Sequence, residues 1–180
     1  MAITVARLKE ALPGILVEPP GLRWNPGDTP FFYYPPLETD WGQIRLLVHL
    51  QDEGRFLQFR SIDLFTLSEN QRVREQHIEI LLAHNYRKKS VQFGYDPDDG
   101  EVCAYVDLPF LDNEEISRRL MERVLTSIRL SGSDLLRELW QTERASPLPS
   151  EAPPKAGKER GMAVLLRRAC RLVYGKLLER

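Results

Sequence analysis

Residues 85–110 read NYRKKSVQFGYDPDDGEVCAYVDLPF, and the spacing of apolar residues in this stretch decides the fold class. Val91, Phe93 and Tyr95 alternate with Gln92 and Gly94. Val102, Ala104, Val106 and Leu108 alternate with Cys103, Tyr105 and Asp107. A period of two is that of a strand with one face buried. Between the runs stands Asp96-Pro97-Asp98-Asp99-Gly100, in which proline presets φ, aspartate bonds its own backbone and glycine supplies a positive φ, as a bulged hairpin needs. Before this hairpin, from Ser68 to Asn85, the period is helical. Val73, His77, Ile80, Leu81 and His84 fall on one arc with Arg72, Glu75, Gln76 and Glu79 outside it, and Ser68 is the expected N-cap. After the hairpin, Asp112 with Glu115 resembles a capping box. Ile116, Leu120, Val124 and Ile128 form an i, i+4 ridge flanked by Met121 and Leu125. Ser131-Gly132-Ser133-Asp134 is expected to interrupt or kink that helix before Leu135, Leu136, Leu139 and Trp140 continue its apolar face. Helices separated by hairpins predict an α+β class, with an antiparallel sheet and helices packed on one side of it.

Working outward, Thr4 to Leu12 reads as a short helix with Val5, Leu8 and Leu12 on one face and a stop at Pro13-Gly14. Ile44, Leu46, Val48 and Leu50 share one strand face, with Arg45, Leu47 and His49 on the other. Asp52-Glu53-Gly54 turns the chain into a second strand, Arg55 to Ile62. From Val17 to Trp41 the chain carries six prolines and the rings Trp24, Phe31, Phe32, Tyr33, Tyr34 and Trp41. Proline at that density leaves at most a short extended piece at Phe31 to Tyr34. At the other end, ERASPLPSEAPPKAGKERG (residues 143–161) has almost no large apolar residue and reads as a linker. Residues 162–180 then read as an amphipathic helix, with Leu165 and Leu172 among its apolar residues and Arg167, Arg168 and Arg171 opposite. The expected organisation is a domain over residues 1–142, a linker over 143–161 and a basic helix over 162–180.

Composition bounds the function. The apolar share is 42% of 180 residues, typical of a globular chain, and no apolar run approaches the ~20 residues of a membrane span. Arg7, Lys9 and Glu10 break up the N-terminal apolar residues, so a secretory leader is not expected and the chain is placed in the cytoplasm. Two cysteines, Cys103 and Cys170, make neither a disulfide framework nor a zinc pattern. Residues 1–154 hold 17 Lys/Arg against 24 Asp/Glu, a charge of −7, whereas residues 155–180 hold 8 against 2, a charge of +6. An acidic body repels nucleic acid, so no nucleic-acid partner is expected.

Asn85 at the end of the middle helix, Phe93, the Asp96–Gly100 turn and Asp107-Leu108-Pro109 leading into the last helix together resemble the YbjN domain, a bacterial family of largely unknown function. The resemblance covers residues 2–142 and implies the fold of type III secretion chaperones, in the order helix, strands, helix, hairpin, helix. It also implies a non-enzymatic protein that binds other proteins, often as a homodimer that packs its helices. The chain departs from the family's pattern in the Pro/aromatic segment and after Thr142.

The chemistry-bearing residues support the same direction. Asp96, Asp98, Asp99 and Glu101 crowd together, but glycine falls fifth and the twelfth place is Asp107 within a strand, which is not an EF-hand pattern. His77 and His84 share a helix face at two turns, ~10.5 Å, too far apart for one metal ion. Cys103 has acidic neighbours that raise a thiol pKa, and no nucleotide-loop, hydrolase or metalloprotease motif is present. No catalytic residue, cofactor or metal is expected. The six rings Trp24, Phe31, Phe32, Tyr33, Tyr34 and Trp41 are either core or anchors for a protein partner. Arg167, Arg168, Arg171, Leu165 and Leu172 suit the body itself, a partner groove or an anionic membrane surface. The expected function is a non-catalytic adaptor or chaperone-like module. The alternatives are a peripheral membrane protein and a small enzyme with an unrecognised site.

Overall fold

The computed structural model describes residues 3–14, 16–18, 30–110 and 116–145. Contacts divide the chain after Ser146, and every described residue lies before that division. The expected linker and basic helix, with Arg167, Arg168, Arg171, Leu165 and Leu172, therefore fall outside the described residues, as do Trp24, Asp112 and Glu115.

The described elements are, in order, α1 (Val5–Ala11), β1 (Phe31–Thr39), β2 (Gly42–Gln51), β3 (Phe56–Ile62), β4 (Phe65–Thr66), α2 (Gln71–Arg87), β5 (Gln92–Tyr95), β6 (Glu101–Pro109) and α3 (Arg118–Ala145). The class is α+β: three helices and an open antiparallel sheet in the order β1-β2-β3-β6. Val102 of β6 pairs with Phe65 and also with Tyr95, and Tyr105 pairs with Arg60 and also with Gln92. Each β6 residue has only two edges, so β3 and β4 share one and β5 takes the other.

The β3–β4 edge is broken at Ser61–Leu64, where Asp63 has φ +49°. Side chains replace the missing ladder. The buried Ser61 hydroxyl accepts the Ala104 N–H at 2.7 Å, and Glu101 Oε1 accepts the Asp63 N–H at 2.8 Å. Buried backbone donors need a partner of this kind wherever a strand bends away.

Alternation places the core. Ile44, Leu46, Val48 and Leu50 of β2 join Leu57 and Phe59 of β3, Phe93 of β5, and Val102, Ala104 and Val106 of β6 in one cluster. Leu8 of α1, Leu81 of α2 and the α3 run Met121, Val124, Leu125, Ile128, Leu135, Leu136 and Leu139 complete it. Opposite Phe32 and Tyr34, the other β1 face puts Phe31 edge-on to His49 with ring centroids 6.3 Å apart, and Leu47 of β2 is buried there too.

Three expectations need correction. First, β1 is nine residues long and runs through Pro35-Pro36. Between Tyr34 and Leu37 it carries one more residue than β2 does from Leu46 to Ile44, so the prolines sit in a β-bulge where no ladder N–H is required. Second, α2 is capped by Asn70 rather than Ser68: its Oδ1 accepts from the N–H groups of Arg72 at 3.1 Å and Val73 at 3.3 Å. Third, α3 is continuous through Ser131–Asp134. Ser131 and Gly132 are buried, and a Cβ added at Gly132 would lie 2.5 Å from Ile44 Cδ1. The small residues are there so that α3 can lie close over β2, not to end the helix. On the β2 face opposite the core cluster, Gln51 Nε2 lies 2.8 Å from His49 Nδ1.

The Asp96–Gly100 turn forms as its residues dictate. Gly100 has φ +74°, Asp96 Oδ1 accepts the Asp98 N–H and Asp99 Oδ1 accepts the Glu101 N–H, each at 2.9 Å. Two of its carboxylates are thus engaged with the loop's own backbone.

Gly132→Ala offers a direct check of the α3–β2 contact. Alanine favours a helix over glycine by about 1 kcal/mol, but overpacking at Ile44 costs about 1–3 kcal/mol. The single variant should be destabilised in urea melts, whereas in an Ile44→Val background, which lacks Cδ1, the same change should be neutral or stabilising. Additive effects would place the contact elsewhere.

Candidate functional site

Helix α2 carries the features that a surface-acting protein needs, and its position is set at both ends. Asn70 caps its start. At its other end Asn85 Nδ2 donates to the Phe93 carbonyl and Asn85 Oδ1 accepts the Phe93 N–H, both at 2.7 Å. A side-chain amide carries a donor and an acceptor side by side and so matches a backbone N–H and C=O pair. The helix is thereby fixed to the β5 edge.

The inner face of α2 presents Val73, His77, Leu81 and His84, all buried. It lies against α3, which runs the opposite way along it. His77 Nε2 is 3.8 Å from Glu143 Oε1, His84 Nε2 is 3.2 Å from Glu138 Oε1, and Lys88 Nζ is 3.1 Å from Asp134 Oδ2. Phe65 stands edge-on to His77 with centroids 5.2 Å apart, and Trp140 stands edge-on to Phe65 at the same separation. Phe93 meets His84 edge-on at 5.8 Å. None of the four ring nitrogens of these histidines has a hydrogen-bond partner of acceptable geometry among the described residues. Burial holds the His77 imidazole below its ordinary range, with Glu143 and the Leu139 carbonyl opposing that shift.

The outer face is different in kind. Leu82 is 63% exposed and Tyr86, one turn on, is 91% exposed, with half-buried Ile78 one turn before them packed against the core. Three apolar side chains at i, i+4 and i+8 make a ridge that starts in the core and ends in solvent. The sequence signal was present: a helical projection puts positions 82 and 86 opposite the buried arc, where the neighbours Glu75 and Glu79 are charged.

The aromatic candidates of the N-terminal segment have other positions. Phe32 and Tyr34 belong to the core, and Trp41 packs against it half-buried. Phe31 is buried on the opposite sheet face, and Tyr33 beside it is half-buried, 6.4 Å from Phe31 between centroids. The rings are divided between two faces by the alternation of β1, and do not form one anchor patch. Burial of Phe32 and Tyr34 is what the core of a small domain extracts from its largest side chains.

Cys103 is buried on β6 and its thiol is pushed up, first by burial and then by Glu101, with Arg60 and the Gly94 backbone acting the other way. Such a thiol is a poor nucleophile. Among the described residues no three His, Cys, Asp or Glu side chains converge as a metal-holding group. No helix among those residues is long and apolar enough to cross a membrane. No protein-family model matches the chain, and no curated protein matches it.

In a Cys170→Ser background, iodoacetamide at pH 7.5 should modify Cys103 at least about tenfold faster in denaturing urea than in buffer. Equal rates would show an accessible, activated thiol and reopen a catalytic reading.

Proposed function

We propose that this protein is a non-catalytic protein-binding module of the adaptor or chaperone-like kind, and that the Ile78–Leu82–Tyr86 ridge of α2 is its contact surface. The observation that carries the reading is the exposure of Leu82 and Tyr86 on a helix whose other side is packed. A large ring in solvent has unfavourable contact with water, and burying it against a partner recovers about 25 cal/mol per Å² of apolar area. Tyr is well suited to this, because it offers a broad rigid surface and a polar tip for little lost entropy. The backbone beneath is immobilised by Asn85 and Phe93, so few degrees of freedom are lost on binding.

The partner that fits is an apolar segment of another polypeptide, or the α2 ridge of a second copy laid antiparallel. The second arrangement would set Glu75 and Glu79 of one chain near Arg87 and Lys89 of the other, a self-complementary charge pattern. The YbjN and secretion-chaperone likeness supports the same reading through the Asn85–Phe93 contact and the Asp96–Gly100 turn. A cytoplasmic setting goes with it.

The test is a photo-crosslinking amino acid at position 86, with a control at the exposed Arg123 of α3. Position 86 should yield specific adducts, either to a second copy or to a partner protein, and position 123 should not. Leu82→Ser with Tyr86→Ser should change stability by no more than about 0.5 kcal/mol, as exposed substitutions do. The same pair should abolish competition for those adducts. Identical adducts from both positions, or undiminished competition by the double variant, would sink the proposal.

A further inference from the structure

We propose that the contact between α2 and α3 is an acid-sensitive latch, in which protonation of His77 inside its sealed box loosens α2 from α3. The contact has three rungs: His77–Glu143, His84–Glu138 and Lys88–Asp134, with Arg137 also 3.5 Å from Asp134. Lysine and aspartate keep their charges between pH 5.5 and 7.5, whereas imidazole is the side chain that titrates there. The buried His77 rung is therefore where mild acid acts.

The His77 rung sets the direction. This residue is fully buried on α2, and among the described residues its nitrogens find no hydrogen bond of good geometry, the Leu139 carbonyl offering only a poorly aligned one. From β4 it meets the uncharged Phe65 ring, and from α3 it meets Glu143 and the Leu139 carbonyl. Glu143 Oε1 at 3.8 Å is beyond hydrogen-bonding distance and is itself 23% exposed, so its charge is partly spent on solvent. An imidazolium there would be desolvated with one distant counter-charge, which a helix avoids by moving away. Because burial lowers the affinity of the folded imidazole for a proton, an opened α2 takes up the proton first as pH falls through about 6.5. Stability at this contact is complete above that pH. It declines on acidification until the folded imidazole is also charged.

The consequence for binding rests on the protein-binding reading above, since α2 carries the latch on one side and the ridge on the other. Acid would then release the platform that holds Leu82 and Tyr86 rigid. The latch itself requires no partner, and its test succeeds or fails independently of that reading.

Hydrogen exchange on the full chain at pH 7.5 and 5.5, corrected for intrinsic rates, measures the opening of α2 against that of the β2–β3 hairpin. The opening constant of α2 should rise by up to about tenfold at pH 5.5, one unit below the free imidazole value, with the hairpin changed little. His77→Gln should remove that pH dependence. Glu143→Gln leaves His77 in place but deletes its counter-charge, and should make the acid response at least as large as in the unaltered chain. A pH-independent α2, a hairpin that opens equally, an acid response that survives in His77→Gln, or a weaker one in Glu143→Gln would each overturn the latch.

Discussion

The amide of Asn85 holds the Phe93 N–H and carbonyl together, and the placement of α2 on the sheet depends on that pair of bonds. Its necessity follows from the register. Phe93 stands opposite Ala104, whose own N–H turns to the far edge of β6 and is taken by Ser61. Phe93 therefore points its backbone groups away from β6, toward the end of α2. A strand of four residues at a sheet edge would leave these two groups unpaired beneath a helix, at a cost of about 1–3 kcal/mol each. Asn85 answers both with one side chain, so the helix end and the strand edge are joined covalently on one side and by hydrogen bonds on the other. The rest of α2 follows as a rigid body: His84 falls on Phe93, His77 on Phe65, and Leu82 with Tyr86 outward.

Regular periodicity was what made most of the framework legible. The alternation in β2, β5 and β6 and the i, i+4 ridge of α3 were readable because the large apolar residues recur toward the core cluster, even where the other face of β2 is also buried at Leu47 and His49. The Asp96–Gly100 turn was readable for another reason: its chemistry is local, Asp96 and Asp99 each bonding backbone two residues away. What escaped was decided by contacts distant in sequence. Pro35-Pro36 reads as a strand breaker until β2 is seen to pair with β1 on either side of a bulge. Ser131-Gly132 reads as a helix breaker until Ile44 is found where a Cβ would be. In each case a tertiary neighbour converts a locally unfavourable residue into the one that fits.

The candidate site was less legible than the fold, and the physical cause is that solvent exposure leaves no period. Trp24, Phe31, Phe32, Tyr33, Tyr34 and Trp41 were singled out because rings dense in sequence suggest a patch, yet alternation along β1 sends Phe32 and Tyr34 to the core and Phe31 with Tyr33 to the opposite face. Leu82 and Tyr86, spaced one turn apart, are the exposed large apolar side chains of α2. Proximity in a helix is read at intervals of three and four, and proximity in a strand at intervals of two.

The two faces of α2 are coupled by the same rigidity that makes the outer one usable. A ridge on a loosely held helix would lose on ordering much of what it gained by burial, so a contact surface of this size benefits from the Asn85 tie and the three rungs to α3. Those rungs need not have been histidines for rigidity alone, because leucine packs more tightly and leaves no buried nitrogen unpaired. The His77 imidazole set beside Glu143 makes the hold on α2 conditional on proton concentration. What the chain forgoes in stability at His77 is the source of that condition, and it falls on the helix that exposes Leu82 and Tyr86.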